Sequence, residues 1–349
     1  MSNAPVRRLL AVAISVLMAV LALELMLRLA RGELRRLESF TADAPRGPGL
    51  VAYHETLGWT TAPGRHGLDP VYGVEPSGLR SNGLSTDSPG PPVLAVGDSF
   101  TFGDEVNDSE TWAARLQDLL NRRVLNAGVP AYGIDQAVLR AESLLELYRP
   151  SVVILSFISD DVTRAEFDYY PYGRGWKPYF EIVNGALQLR NTPVPTATAP
   201  RPFPGLRHAL GYSYVADAVF RRTADRWWRN FPPVHRVHTD GERVSTELVA
   251  RLAGGVRRLG GTFFVVAFAT NGGLGGNRRL ATAIKDFEGR GIDVLDLSSE
   301  VMDVDPETRP GLFMHDGHYA PAMNRRVAAR IAAYLASRGA LAPPQASVP

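Results

Sequence analysis

Residues Val93 to Gly103 read VLAVGDSFTFG, an apolar run that passes directly into a turn holding an acid, a hydroxyl and two glycines. A buried strand ending on Gly97-Asp98-Ser99 has two readings. Gly, Asp and Ser are ordinary turn residues in a strand-to-helix connection. Alternatively, Ser99 is a nucleophile displayed at the end of a central strand.

Working outward from this stretch, apolar runs alternate with helical patterns. After Pro92–Val96 comes a helix over Glu110–Asn121, with Trp112, Leu116, Leu119 and Leu120 on one face and Asn107-Asp108-Ser109-Glu110 supplying caps. The run Val124–Asn126 precedes a second helix that carries Ile134, Ala137, Val138, Ala141, Leu144, Leu145 and Tyr148 and stops at Pro150. Ser151–Phe157, SVVILSF, is the most continuous strand signal. The alternation breaks at an insertion of about 164–240: residues 164–205 are an excursion rich in Tyr, Trp, Pro and Gly, and helices around 206–228 and 244–259 lead back to the run Thr262–Ala269, followed by a helix over Arg278–Gly289 and the run Ile292–Leu297. A last helix starts at Pro321, a favoured first-turn position, and ends before Gly339. Five runs too apolar to be half-exposed, separated by helices, predict an α/β fold with a five-stranded parallel sheet covered on both faces. Such sheets bind ligands beyond the carboxyl ends of their strands. Ser99, Ala131, Asp160 and His318 all follow strand ends, so the topology gathers them on one rim.

The chain has 349 residues, 45% of them hydrophobic, enough for one large core without disulfides. Lys+Arg and Asp+Glu nearly balance at a net +2, and no basic stripe interleaved with aromatics announces nucleic acid. With no cysteine there are no disulfides, thiolate metal sites or lipid-modified N-terminal Cys. The segment Leu9–Leu23 is uncharged, and its continuation through Glu24 and Arg28 to Leu29 gives a helix of roughly 30 Å at about 1.5 Å per residue, sufficient to cross a bilayer. Glu24 and Arg28 are spaced to pair near one interface. A cleaved signal peptide, for which Val20-Leu21-Ala22 is a passable site, and a buried core helix are the other readings. Arg7 and Arg8 precede the segment while Arg28, Arg31, Arg35 and Arg36 follow it, so the count of basic residues does not place the large domain outside and leans the other way. The expected organisation is a tail over 1–8, a transmembrane anchor or signal sequence over 9–30, a juxtamembrane and irregular arm over 31–90, the α/β domain over 91–338 and a tail over 339–349.

Ester hydrolysis needs a nucleophile, a base, a group that orients the base, and donors for the oxyanion. Ser99 is the one serine that directly ends a predicted central strand in a Gly-flanked turn. FMHDGHYAP, Phe313–Pro321, places His318 just before the last helix, with Asp316 two residues earlier as the nearby carboxylate that would orient it. His315, Asp316 and His318 provide no convincing third and fourth ligand, so no metal is expected. The glycine-rich Asn271–Asn277 lacks the Gly-Lys-Ser/Thr ending of a phosphate loop. The aromatics of Phe167–Phe180 either stack on sugar faces or pack against the irregular arm.

With these residues in place the chain resembles the SGNH (GDSL-type) hydrolases, in particular the group with an N-terminal hydrophobic segment. GDSFTFG matches the first family block, NAGVPAYGIDQ (Asn126–Gln136) resembles the second, FISDDV (Phe157–Val162) the third and HDGHYAP the last. The resemblance covers roughly residues 70–338 without the insertion. It implies a flavodoxin-like three-layer α/β/α sandwich acting on ester or O-acetyl groups without a cofactor. Ser99 is then the nucleophile and His318 the base, while the oxyanion is held by the Ser99 N–H and by groups at Ala131 and Asp160. Three departures stand out. Ala131 replaces the usual glycine, although its N–H can still donate. Asp160 replaces an asparagine, and an ionised carboxylate donates nothing. His315 occupies the usual aspartate position, three before His318. The resemblance further implies an acylated carbohydrate or small ester as substrate and a domain on the extracytoplasmic side of the membrane, at the cell envelope. O-acetyl transfer on the same acyl-enzyme, or a catalytically impaired module that binds polysaccharide or protein, are the alternatives.

Overall fold

The structure, a computed structural model, describes residues 4–32, 39–40, 50–68, 70–84, 90–170, 175–196, 202–228, 235–237, 239–271 and 274–340. Residues 1–3 of the first tail and 341–349 of the last, much of 31–49, part of the aromatic run (171–174) and part of the glycine-rich loop (272–273) lie outside these described residues. The chain forms two compact units, one of 1–47 with 197–233 and one of 48–196 with 234–349.

In the larger unit five strands, β1 (Val93–Val96), β2 (Val124–Asn126), β3 (Val152–Phe157), β4 (Thr262–Ala267) and β5 (Val294–Asp296), form a sheet in the order β5-β4-β3-β1-β2 with every pairing parallel. This is the doubly wound order 2-1-3-4-5 of flavodoxin-like sheets, whose switch point lies between β1 and β3. In chain order the longer helices and those at the site are α1 (Ala4–Ala30), α2 (Ser99–Phe102), α3 (Trp112–Leu120), α4 (Ile134–Tyr148), α5 (Ser159–Arg164), α6 (Pro204–Leu210), α7 (Tyr214–Thr223), α8 (Gly241–Arg258), α9 (Leu274–Gly289) and α10 (Pro321–Ser337).

Strand periodicity of two divides the core between the two faces. Leu94, Val96, Val153, Leu155 and Val265 join residues of α4, α8 and α9 in one cluster. Val93, Ala95, Val152, Ile154, Phe264 and Val266 join α3 and α10 in another. Burial on both faces explains why the strands read as continuous apolar runs, and the three-layer α/β/α sandwich follows from it.

Two regions hold more order than their sequence suggests. The irregular arm contains two antiparallel ribbons, Val51–His54 with Gly58–Thr61 and His66–Leu68 with Val71–Gly73. It is fastened by the buried Arg140 of α4, whose guanidinium donates to Ala127 O and Gly78 O and to the hydroxyls of Thr60 and Thr61. The excursion contains a hairpin, Tyr179–Val183 with Ala186–Arg190, turned on Asn184-Gly185 with both residues at positive φ. Three of its aromatics, Phe167, Tyr169 and Phe180, are buried, and Tyr169 meets Trp176 edge-on at 5.2 Å. Lys177 is fully buried against Asp135 of α4 and also donates to the carbonyls of Arg164, Phe167 and Pro178.

Candidate active site

The turn after β1 has little freedom. A Cβ on Gly97 would sit 2.6 Å from the Ser156 carbonyl oxygen, and one on Gly128 would sit 2.2 Å from the Phe102 nitrogen, so glycine is required where these backbones approach. Asp98 caps α2 by accepting the Phe100 N–H at 2.9 Å, and its second oxygen meets Arg164 at 3.3 Å. Arg164 also binds Asp161 at 2.6 Å and the Tyr132 carbonyl at 3.0 Å, joining the loops after β1, β2 and β3. The two carboxylates hold Arg164 firmly protonated despite its burial. Burial and the neighbouring Asp98 push the Asp161 carboxyl well above the usual carboxylate range. The buried Asp of the GDS sequence is thus structural.

Ser99 opens α2 with its N–H accepted by no group among the described residues, as expected of the first position in a helix. Its Oγ lies 2.9 Å from His318 Nε2. Phe100 packs on the imidazole at 5.3 Å between ring centroids and on Tyr319, whose hydroxyl is anchored to the Ala269 carbonyl. The short loop before α10 is closed by Met314 N–H to His318 O at 2.7 Å. Residues 219 positions apart therefore meet because β1 and β5 run parallel and release their loops on the same rim.

The carboxylate at the far side of the imidazole is Glu105, not Asp316. Glu105 Oε2 lies 2.9 Å from His318 Nδ1 and accepts the His318 N–H, while Oε1 accepts the Asp316 N–H at 2.7 Å. Asp316 Oδ1 instead meets His315 Nδ1 at 3.0 Å on an exposed corner. An acceptor at Nδ1 places the proton there and leaves Nε2 basic toward Ser99. Glu105 stands at φ 67°, a strained conformation for a residue with a side chain. Arg80, buried from the arm, holds it there: its guanidinium donates to Gly103 O at 2.9 Å and Val106 O at 2.7 Å on either side, pairs with Asp108 at 3.1 Å and stacks on Phe102 at 4.4 Å. Asp104, the other acid of this loop, lies 3.9 Å from His318 Nε2. Burial raises its carboxyl to about 6, against the lowering influence of His318 and Arg80.

At the positions expected for the oxyanion, the Ala131 N–H donates to no group among the described residues, and the residue stands at φ 67° in the left-handed region, where its Cβ costs roughly 1–2 kcal/mol. Asp160 is an exposed residue in the first turn of α5, and its side chain has no hydrogen-bond partner among the described residues.

No family model matches the chain, and no curated protein does. Among solved structures it is similar to a G-D-S-L family lipolytic protein from Desulfitobacterium hafniense DCB-2, at 13% identity over 70% of this chain and 99% of that one, with a TM-score of 0.42. It is similar to the lipase/acylhydrolase from Enterococcus faecalis, at 14% identity over 74% and 100% of the two chains, with a TM-score of 0.42. An acetyl xylan esterase from the rumen bacterium Butyrivibrio proteoclasticus, at 12% identity over 74% and 67%, has a TM-score of 0.40. At such values the site reading stands on the geometry of this chain.

Proposed function

We propose that this chain is a serine esterase of the SGNH type. The observation that carries the reading is the continuous relay Ser99 Oγ, His318 Nε2, His318 Nδ1, Glu105 Oε2, with both steps at 2.9 Å on the carboxyl rim of the sheet. Ser99 attacks the acyl carbon while His318 takes its proton. The imidazolium so formed is stabilised by Glu105, then protonates the leaving alcohol as the tetrahedral intermediate collapses. Water, deprotonated by the same imidazole, releases the acid from the acyl-enzyme and restores Ser99. The Ser99 and Ala131 N–H groups, both without an acceptor among the described residues, are the donors offered to the oxyanion.

The substrate we assign is an O-acylated carbohydrate or small ester at the cell envelope, with α1 as membrane anchor and the hydrolase unit on the extracytoplasmic side. If a sugar hydroxyl replaces water in the second step, the same intermediate gives O-acetyl transfer. Hydrolysis of p-nitrophenyl acetate by the purified chain, lost in Ser99→Ala, tests the activity. A C-terminal alkaline phosphatase fusion tests the side, and an inactive fusion would reverse it.

Asp160 favours a second reading, a binding module with weakened catalysis, because a carboxylate stands where an amide donor would be. One lost oxyanion donor costs on the order of 3 kcal/mol, about 100-fold in rate. Asp160→Asn is expected to keep or raise kcat on p-nitrophenyl acetate. A large fall would give the carboxylate a role of its own.

A further inference from the structure

The smaller unit carries a feature that the esterase reading leaves unused. Within α1, the candidate span Val6–Ala30 contains an 18-residue window of mean hydropathy 2.6, none of it buried. Glu24 lies inside this span, six residues before Ala30, which is about 9 Å of helix at 1.5 Å per residue. A carboxylate at that depth is costly unless it is satisfied. It is satisfied by the start of α7: Ser213 Oγ donates to it at 2.8 Å, Tyr214 N–H at 3.1 Å and Val215 N–H at 3.0 Å, while Arg28 pairs with it at 2.8 Å. Arg28 also donates to the Tyr212 carbonyl at 2.6 Å, and Arg31 lies 5.1 Å over the Tyr214 ring.

The start of α7 is therefore fixed beside the last turns of α1, at the headgroup and acyl boundary of any bilayer that α1 spans. The segment from α6 through α7 exposes apolar side chains, with Phe203 71%, Leu206 56% and Val219 48% accessible. Residues 197–233 carry six arginines (201, 207, 221, 222, 226 and 229) against two aspartates (217 and 225). Apolar side chains beside an arginine excess are the composition of a helix that lies in an anionic interface.

We propose that the α6–α7 segment is a membrane-surface element, with Phe203 and Leu206 inserted at the acyl boundary of the same bilayer that α1 crosses and the arginine excess of 197–233 toward anionic lipid headgroups. This rests on the anchor reading of α1. Because the chain has no cysteine, single variants Leu17→Cys and Leu206→Cys can carry an environment-sensitive fluorophore in the full chain, reconstituted in mixed phosphatidylcholine–phosphatidylglycerol vesicles. Spin-labelled lipids then report depth. The label at 206 is expected to be quenched more strongly by spin labels near the headgroup than by those near the chain end, and the label at 17 the reverse. Quenching at 17 but none at 206 overturns the surface element and leaves the anchor standing. A label at 206 that is shielded from water but not quenched means that protein covers α6, which also overturns it. No quenching at 17 removes the anchor itself and the proposal with it.

Discussion

Five acids of the larger unit fall into two groups that are held in opposite ways. Asp98 and Asp161 share Arg164, and Asp135 faces Lys177, so these three buried carboxylates are set against an arginine or a lysine. Asp104 and Glu105, a few residues beyond Ser99, face His318 instead, whose charge appears only when it accepts a proton. The first group joins loops and holds the excursion to α4. The second is positioned to respond to proton transfer. What a carboxylate does here is decided by what stands opposite it, and side-chain type alone does not separate the groups.

The largest expected effect breaks this contrast at Glu105. Glu105→Gln keeps the shape but removes the charge that fixes the imidazole tautomer, and kcat/KM on p-nitrophenyl acetate is expected to fall by about 10²–10⁴-fold with the fold intact. Asp316→Asn, on the exposed corner, should stay within about twofold of wild type on the scale of ordinary surface changes. If the two variants exchanged these outcomes, Asp316 would be the orienting acid.

Next comes Lys177→Met, which leaves Asp135 buried without its cation. Breaking one side of a buried pair costs about 3–5 kcal/mol. Thermal denaturation should therefore show a clear loss of Tm, and replacing Asp135 by Asn in the same chain should recover part of it. An unchanged Tm would mean that the pair is not what fastens the excursion.

The smallest effect concerns Asp104, where stability and activity are expected to separate. Its carboxyl is raised from 3.8 to about 6, so folding favours the protonated form. Its contribution to stability is full below the unfolded value and is lost as pH rises through about 6. Asp104→Asn should match wild-type Tm near pH 4 and exceed it by a few degrees at pH 8. The same variant should lose several-fold in kcat at pH 8, because the ionised acid near Nε2 no longer favours the imidazolium. A Tm difference independent of pH would detach Asp104 from this titration.

Much of the sheet was legible in the sequence because parallel strands buried on both faces must be apolar throughout, and SVVILSF and TFFVVAFA admit little else. The meeting of Ser99 with His318 followed from topology alone, since loops after parallel strands share a rim. Glu105 was not legible in the same way. Asp316 lies beside His318 in sequence, whereas the carboxylate at Nδ1 comes from the loop after Ser99, where the adjacent acids Asp104-Glu105 were the available signal. Arg80 was hidden by an arm whose Gly and Pro content reads as irregular. The hairpin on Asn184-Gly185 had the strongest turn dipeptide there is, flanked by apolar alternation, and was readable. The capping of α7 by Glu24 had no local signal, because its partners lie about 190 residues away.

The most direct test of the account is covalent. A fluorophosphonate probe incubated with the purified full chain, followed by peptide mass spectrometry, should place one phosphonyl group on Ser99 and none on Ser99→Ala. A properly folded wild type that takes up no probe, or takes it up at another residue, would contradict the assignment of this serine as the nucleophile.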